Sequence, residues 1–497
     1  MQAPGPDAIS NKFIKIASPI ISKPVTKIFN LSLATGIFPE PLKLSRVTPI
    51  YKSDTKTQVS NYRPISLISF FAKTLEKIVF NQLSTFLIDN SILYDYQFGF
   101  RKNHSTALAL VEITDRISKA LDENKTVCGL FIDFSKAFDT VDHQILLEKL
   151  EYYGIKNTAH AWFSDYLSNR MQYVEIDGHK SDSLNVTYGV PQGSTLGPLL
   201  FLLYINDLPL CSTKLIFRLF ADDTNVFLDD SDLDNIERDM NRELNKVSDW
   251  LNANKLSLNL TKSNYMLLIP RNRRRPRDLN LFINGHKLAR KSEVKYLGVF
   301  IDERLNWKFH IDLLTKKLNK IRGVIYRLSR YASRDVLMKI YFSLVYSYLN
   351  YGVMSWGGTY KSNLLALQRA QNKIVKTILG LPWDSPTNPV FCELDLLKVQ
   401  EIYHCNCLTF IYKYHYDLLP PAFCAYFNPI HNIHHHNTRF AAAGNYYLPT
   451  FRTDKVKHST SYTAITQWRD LPRDLKERPT LFQYKKYLKK HLLHRYH

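Results

Sequence analysis

Two adjacent carboxylates, Asp222 and Asp223, interrupt an otherwise apolar stretch. Leu215-Ile216-Phe217-Arg218-Leu219 runs before them and Asn225-Val226-Phe227-Leu228 after. Two strand-like runs around a polar pair read as a β-hairpin with a tight turn. Like charges side by side repel, so stability gives no reason to place them at a hairpin tip. A divalent cation would remove the repulsion, while a solvated Asp-Asp turn is the plain alternative, because Asp is an ordinary turn residue. A third acid stands in a related position. Val127-Cys128-Gly129-Leu130-Phe131-Ile132 is a continuous apolar run that fits a buried strand, and it stops at Asp133. An acid there is costly unless solvated, paired or metal-bound. If the strands are neighbours in one sheet, all three acids meet at one edge and could hold two divalent ions about 3.5–4 Å apart.

The chain has 497 residues, 45% of them hydrophobic and 13% aromatic, which describes a folded protein of more than one domain. Its formal net charge is +21, an excess that favours a polyanion partner, most simply nucleic acid. No apolar run approaches the roughly 18 residues of a membrane span, so no membrane partner is expected. Six cysteines in so long a chain do not suggest a disulfide framework, and no disulfide partner is expected.

Apolar periodicity predicts helices over 14–33, 70–90, from 106 onward, and over 142–153, the last closed by Gly154. Lys52 and Arg63 follow or interrupt short strand-like runs, where a cation can reach a phosphate or simply be solvated. Tyr188-Gly189-Val190-Pro191-Gln192-Gly193-Ser194 is a glycine-rich turn that can approach a ligand closely. A helix apolar all round, 195–207, is predicted after it with Ser194 as N-cap. Leu233, Ile236, Met240, Leu244, Val247 and Leu251 mark the clearest amphipathic helix. Leu256-Ser257-Leu258-Asn259-Leu260 alternates as a strand would and runs into Lys262. The basic run 271–277 reads as a solvated loop, with a nuclear signal or a phosphate contact as the alternatives. From 306 the texture is helical, and Arg369, Lys373 and Lys376 share one helix face. Residues 382–389 look like a linker or hinge. A helix over 400–419 carries His404, Cys405 and Cys407, whose spacing with His434-His435-His436 fits no common zinc pattern.

Taken in order, Gly5-Pro6-Asp7, Asn61-Tyr62-Arg63-Pro64-Ile65-Ser66-Leu67, Gly99-Phe100-Arg101, Phe131-Ile132-Asp133-Phe134-Ser135-Lys136-Ala137-Phe138-Asp139, Gly189-Val190-Pro191-Gln192-Gly193-Ser194, Phe220-Ala221-Asp222-Asp223, Leu258-Asn259-Leu260-Thr261-Lys262 and Tyr296-Leu297-Gly298-Val299 form a specific set. With them the chain closely resembles the reverse transcriptase of non-LTR (LINE-type) retrotransposons, nearest the Jockey-like branch. The resemblance implies an α+β right-hand polymerase: fingers over 1–125, a ferredoxin-like palm over 126–305, a helical thumb over 306–381, and a mostly helical basic C-terminal region over 382–497.

It also implies an RNA-directed DNA polymerase that extends a DNA primer or target on an RNA template. The substrates would be dNTPs and the cofactor two Mg²⁺ ions, with Mn²⁺ as a substitute. By resemblance, Asp133, Asp222 and Asp223 match the metal-binding carboxylates, and the Phe134 carbonyl a further ligand. Phe138 matches the steric gate against a ribose 2′-OH. Gln192 and Gly193 match the loop against the incoming nucleotide, and Arg63, with Lys52 second, the cation on the triphosphate. Lys262 matches the lysine that protonates pyrophosphate, Arg101 a template contact, and Tyr296-Leu297-Gly298 the primer grip. Asn437-Thr438-Arg439 and Trp468 with Leu471-Pro472 resemble the family's C-terminal region. The family implies work in the nucleus after synthesis in the cytoplasm. Met1 stands just before Gly5-Pro6-Asp7, so no endonuclease is expected, and no RNase H or CCHC segment is recognisable. A catalytically silent nucleic-acid-binding remnant is the alternative reading. The bulk of Phe138 argues against an RNA-templated RNA polymerase.

Overall fold

The structure, a computed structural model, describes residues 4–52, 55–270, 272–430, 445–448 and 450–496. His434-His435-His436 and Asn437-Thr438-Arg439 therefore lie outside the described residues. The centre is β3 (Thr126–Ile132), buried along its whole length. Its side chains alternate between two cores. Val127 and Phe131 enter one, and Cys128, Leu130 and Ile132 enter the other. A strand covered on both faces has no reason to alternate polar with apolar, which is why its sequence is a continuous apolar run. Gly129 is the exception in size: a Cβ there would lie 2.9 Å from the Phe227 ring.

β3 pairs antiparallel on one side with β6 (Asp223–Asp230), which forms a hairpin with β5 (Ile216–Phe220). On the other side it pairs with β7 (Asn264–Leu268), and the short β8 (Ala289–Arg290) completes a sheet of five strands in the order β8-β7-β3-β6-β5. One face is covered by α4 (His143–Tyr152), α6 (Gly197–Tyr204) and α7 (Leu233–Ala253). Helix α7 buries Ile236, Met240, Leu244, Val247 and Leu251 as its periodicity predicts. Helix α6 is shorter than predicted. The Ser194 hydroxyl accepts from the Gly197 N–H at 2.9 Å one turn before the helix settles. At the other end the Asn206 amide bridges Tyr94 and Ile92 of another segment.

A second sheet joins β1 (Leu44–Tyr51), antiparallel to β2 (Tyr62–Leu67) and parallel to β4 (Arg170–Ile176). Helices α1 (Asn11–Thr35), α2 (Phe70–Asp89) and α5 (Asn157–Leu167) accompany it.

Helix α3 (Thr106–Asp122) covers the other face of the central sheet, and the C-terminal half packs onto it. That half comprises the hairpin β9 (Glu293–Tyr296) and β10 (Val299–Asp302), then α8 (Lys308–Leu328), α9 (Arg334–Ile340) and α10 (Lys361–Leu379). It ends with α11 (Thr387–Glu393), α12 (Val399–His415), α13 (Thr460–Arg469) and α14 (Leu481–Leu493). Two expectations are corrected here. Residues 387–389, the end of the expected linker, open α11, whose Val390 and Phe391 enter the same core as α10 and α12. The expected strand at 256–260 is a single bridge, Phe134 to Leu258. The Asn259 carbonyl turns the chain there, accepting from the N–H groups of Lys262 at 3.1 Å and Ser263 at 2.9 Å.

Two buried polar contacts tie α3 down. The Asp115 carboxylate, half-buried, accepts from the Thr460 N–H at 3.0 Å, the Ser461 N–H at 2.7 Å and the Tyr426 hydroxyl at 2.5 Å. Burial raises its pKa. The Arg218 guanidinium of β5, 2% exposed, makes a two-pronged pair with Glu112 and lies 3.8 Å from the centre of the Tyr96 ring. Removing one partner of such a pair strands the other charge. Glu112→Ala should destabilise the fold by about 3–5 kcal/mol. The double change Glu112→Leu with Arg218→Met should recover most of that loss. Denaturant unfolding of the three chains checks this, and a Glu112→Ala loss under ~1 kcal/mol would contradict it.

Candidate active site

The hairpin turn is tighter than its polar pair suggests. Phe220 pairs with Asp223, so the turn residues are Ala221 and Asp222, and Asp223 is the first residue of β6. Ala221 takes a left-handed φ of 54°, as the first position of a primed hairpin turn requires. The β3–β6 ladder ends at Ile132 opposite Thr224, so Asp133 and Asp223 are the next residues outward on neighbouring strands. All three acids thus leave the sheet at one edge. Asp222 and Asp223 reach solvent, and Asp133 is half-buried.

Partial desolvation raises both hairpin carboxylates. Repulsion from Asp222 and Asp133 adds to it and pushes Asp223 up to about 6. Asp222 is raised by desolvation and by Asp133, while Lys52 and Arg63 pull it back. Those two cations come from the second sheet. Arg63 lies on β2 opposite Ile50, and the Lys52 N–H donates to the Asn61 carbonyl at 2.9 Å, extending the same ladder.

The segment after α7 lies beside Asp133. The Asn259 N–H donates to the Asp133 carbonyl at 2.8 Å, and the Ser135 N–H to the Ser257 carbonyl at 2.8 Å. The Ser263 hydroxyl accepts from the Asp133 N–H at 3.4 Å. This bridge uses the Asp133 carbonyl and the Ser135 N–H, not the Phe134 carbonyl. The turn it closes sets the Lys262 ammonium 3.8 Å from the Asp133 carboxylate.

Phe138 follows in a short 3₁₀ turn, Ala137–Asp139. Its ring stacks on Phe201 of α6 at 4.5 Å and meets Phe100 edge-on at 6.2 Å. The glycine-rich loop is laced to it. The Val190 N–H donates to the Phe138 carbonyl at 2.8 Å and the Gly189 N–H to the Val141 carbonyl at 2.7 Å. The Gln192 amide donates to Asp139, whose carboxyl burial raises, at 2.8 Å. The other side of the loop docks on β2: the Ser66 N–H donates to the Gln192 carbonyl at 2.7 Å. Gly193 sits at φ 125°, and a Cβ there would lie 2.5 Å from the Ser66 carbonyl. Glu76, buried in α2, holds the end of the loop by accepting from the Thr195 N–H at 2.6 Å.

Tyr296, Leu297 and Gly298 separate in role. Alternation along β9 turns Tyr296 inward, 3% exposed, with its ring 6.0 Å from Phe131 of β3. Its ring packs in the core that backs the central sheet. Leu297 and Gly298, at φ 43° and 81°, form the turn, and the Tyr351 hydroxyl donates to the Leu297 carbonyl at 2.7 Å. The Arg101 guanidinium donates to the carbonyls of Tyr94 at 2.7 Å and Gln97 at 3.3 Å, so it orders the loop before α3. His404, Cys405 and Cys407 are held in their uncharged forms by burial, which lowers His404 to about 4 and raises both thiols. Among the described residues no group of three or more His, Cys, Asp or Glu side chains, the three acids included, stands close enough together to hold a metal ion as placed.

Glu76, Ser263 and Gln97 had no role in the sequence reading. Each acts by a hydrogen bond between its side chain and a distant main chain, for which no periodicity or spacing gives a signal.

Residues 50–301 match the family model described as reverse transcriptase (RNA-dependent DNA polymerase). The chain is 28% identical, over 80% of its own length, to the probable RNA-directed DNA polymerase from transposon BS of Drosophila melanogaster, and covers 45% of that protein. It is 28% identical, again over 80%, to the RNA-directed DNA polymerase from mobile element jockey of the same organism, and covers 44% of it. The chain thus spans somewhat under half the length of these curated relatives. A telomerase structure from Candida albicans is a faint likeness, with a TM-score of 0.33 and 11% identity over 72% of this chain and 63% of that one. The family model spans the sheet edge with all three acids, the glycine-rich loop and both cations, and the chain belongs to the reverse transcriptase (RNA-dependent DNA polymerase) family.

Proposed function

We propose that the chain extends a DNA primer on an RNA template, transferring nucleotides from dNTPs with two divalent cations. The observation that carries this reading is the exit of Asp133, Asp222 and Asp223 at one sheet edge, with Lys52 and Arg63 acting on it from the second sheet.

The donor set suits a hard cation. It is made of carboxylates alone, and their mutual repulsion is what raises Asp223 beyond desolvation. An open set also suits Mg²⁺, which binds through one or two carboxylates and takes its remaining ligands from water and substrate phosphates. Asp133, Asp222 and Asp223, with the Phe134 carbonyl, would hold two Mg²⁺ ions, or Mn²⁺ in their place. When bound, these ions supply a more acidic primer hydroxyl and neutralise the triphosphate charge.

The remaining roles fall to this chain's own groups. Lys52 and Arg63 bind the triphosphate. Phe138, braced by Phe201, leaves no room for a 2′-OH. Gln192 and Gly193 line the nucleotide's other side. Lys262, beside Asp133, gives a proton to the departing pyrophosphate oxygen. The Leu297-Gly298 turn supports the primer end. The +21 charge holds the polymer through release of its counterions, so binding weakens steeply with salt.

Three outcomes are expected. First, the purified chain extends oligo(dT) on poly(rA) with dTTP and Mg²⁺. Asp222→Ala lowers the rate at least about 100-fold while primer–template affinity changes less than about threefold. Retained binding with no extension by the parent would favour the silent remnant. Second, Phe138→Ala lowers discrimination against ribonucleotides by at least about tenfold in competition assays. Unchanged selectivity would remove the gate. Third, the folded Asp223 carboxyl has a raised pKa, so its ionisation opposes folding. Its contribution is fully present below about pH 4 and lost as pH rises through about 6. At pH 7.5 without metal, Asp223→Asn should melt above the parent by ~1 kcal/mol at most, because the group is solvated. The gap should close towards pH 4 and reverse on adding Mg²⁺. Calorimetry with and without the metal checks it, and a parent that melts higher in the metal-free buffer would refute the repulsion.

A further inference from the structure

Gln97 touches the catalytic hairpin without belonging to it. The residue is 2% exposed and forms a parallel bridge with Leu219 of β5. The main chain around it is stitched to that strand. The Leu219 N–H donates to the Tyr96 carbonyl at 3.1 Å, and the Phe98 N–H donates to the Leu219 carbonyl at 2.8 Å. The stitching delivers the Gln97 side chain to the end of the strand, where its amide oxygen accepts from two main-chain groups. These are the Gly99 N–H at 2.8 Å and the Ala221 N–H at 3.0 Å.

Ala221 is the first turn residue, 3% exposed and at a φ of 54° that an L side chain seldom takes. Its N–H belongs to the peptide that leads from Phe220 into the turn, so a bond to it fixes the start of the turn that carries Asp222. The contact continues at Gly99, where a Cβ would lie 2.4 Å from the Ala221 nitrogen. The segment thus touches the turn from below by a hydrogen bond and by bare backbone. The Gln97 Nε2 is buried without an acceptor. An orphaned donor is a cost that Leu or Met would avoid, so packing alone does not call for an amide here.

We infer that Gln97 is a positioning residue. Through the Ala221 N–H it holds the hairpin turn in the one backbone arrangement that presents Asp222 together with Asp223 and Asp133 to a divalent cation. Gly99 permits the approach. The inference rests on the metal-site reading of the three acids.

The test is Mn²⁺ binding to the full chain, followed by loss of the free-ion electron paramagnetic resonance signal, with circular dichroism melting in parallel. The parent should bind and Asp222→Ala should not. Gln97→Met, similar in volume but without the acceptor, should weaken Mn²⁺ affinity at least fivefold. Gly99→Ala, which displaces the turn by another route, should do the same and serves if Gln97→Met fails to fold. Asp115→Asn provides the control for lowered stability: it should melt earlier and bind Mn²⁺ within twofold of the parent. Mn²⁺ affinity within twofold of the parent in Gln97→Met, or in Gly99→Ala alone where the first does not fold, overturns the positioning role and leaves the metal site standing. Parent-like binding by Asp222→Ala overturns the metal-site reading and this inference with it.

Discussion

Repulsion among Asp133, Asp222 and Asp223 is the constraint on which the rest of the structure depends. Three carboxylates at one sheet edge would drift apart on flexible loops. Here Asp133 and Asp223 leave neighbouring strands of a ladder running from Thr126–Asp230 to Ile132–Thr224, and Asp222 sits in a two-residue turn. Apolar surface buried on both faces of β3 offsets the local penalty. Strain of this kind persists where the surroundings over-determine the geometry, and the distribution of buried polar contacts fits that rule. Gln97 is under the turn, Ser263 is at the Asp133 N–H, and the Arg218–Glu112 pair anchors β5.

Around this edge the other groups are held by main-chain lacing, to which the Glu76 and Gln192 side chains each add a bond. The glycine-rich loop is tied to the Phe138 turn on one side and to β2 on the other. Gln192 and Gly193, the aromatic ring at 138 and the cation at 63 thereby share one hydrogen-bonded frame. Gly193 belongs to that frame because no side chain fits between it and the Ser66 carbonyl. If Arg63 binds a triphosphate as proposed, that binding energy reaches the loop without passing through a flexible connection.

Much of this was legible in the sequence, and the limits have physical reasons. β3 and the hairpin were visible because a strand buried on both faces is an apolar run, and α7 because one face only is buried. The turn was read one residue late: Ala221 looks like the end of a strand, and only its left-handed φ makes it part of the turn. At 256–260 the alternation was real, but Asn259 spends its carbonyl on a turn. At 296–298 the motif falls on a hairpin turn, and period two sends the Tyr296 ring inward while Leu297 and Gly298 make the turn. The proline-rich stretch at 382–389 suggested a break, yet Pro389 lies in the first turn of a helix, where its missing N–H costs little. Gln97 and Glu76 reach main chain more than a hundred positions away, and no local pattern encodes such a reach.

The docking of the C-terminal helices on α3 bears on how such a protein can change over time. Asp115 caps the start of α13, and the aromatic rings of α12, α13 and α14 fill the same core that backs the central sheet. A segment joined to its neighbour in this way is not a cassette. Exchanging residues 382–497 for an unrelated nucleic-acid-binding unit would expose one face of α3 and leave a charge without its donors. Variation in this region must therefore proceed by compensated pairs across the α3 boundary.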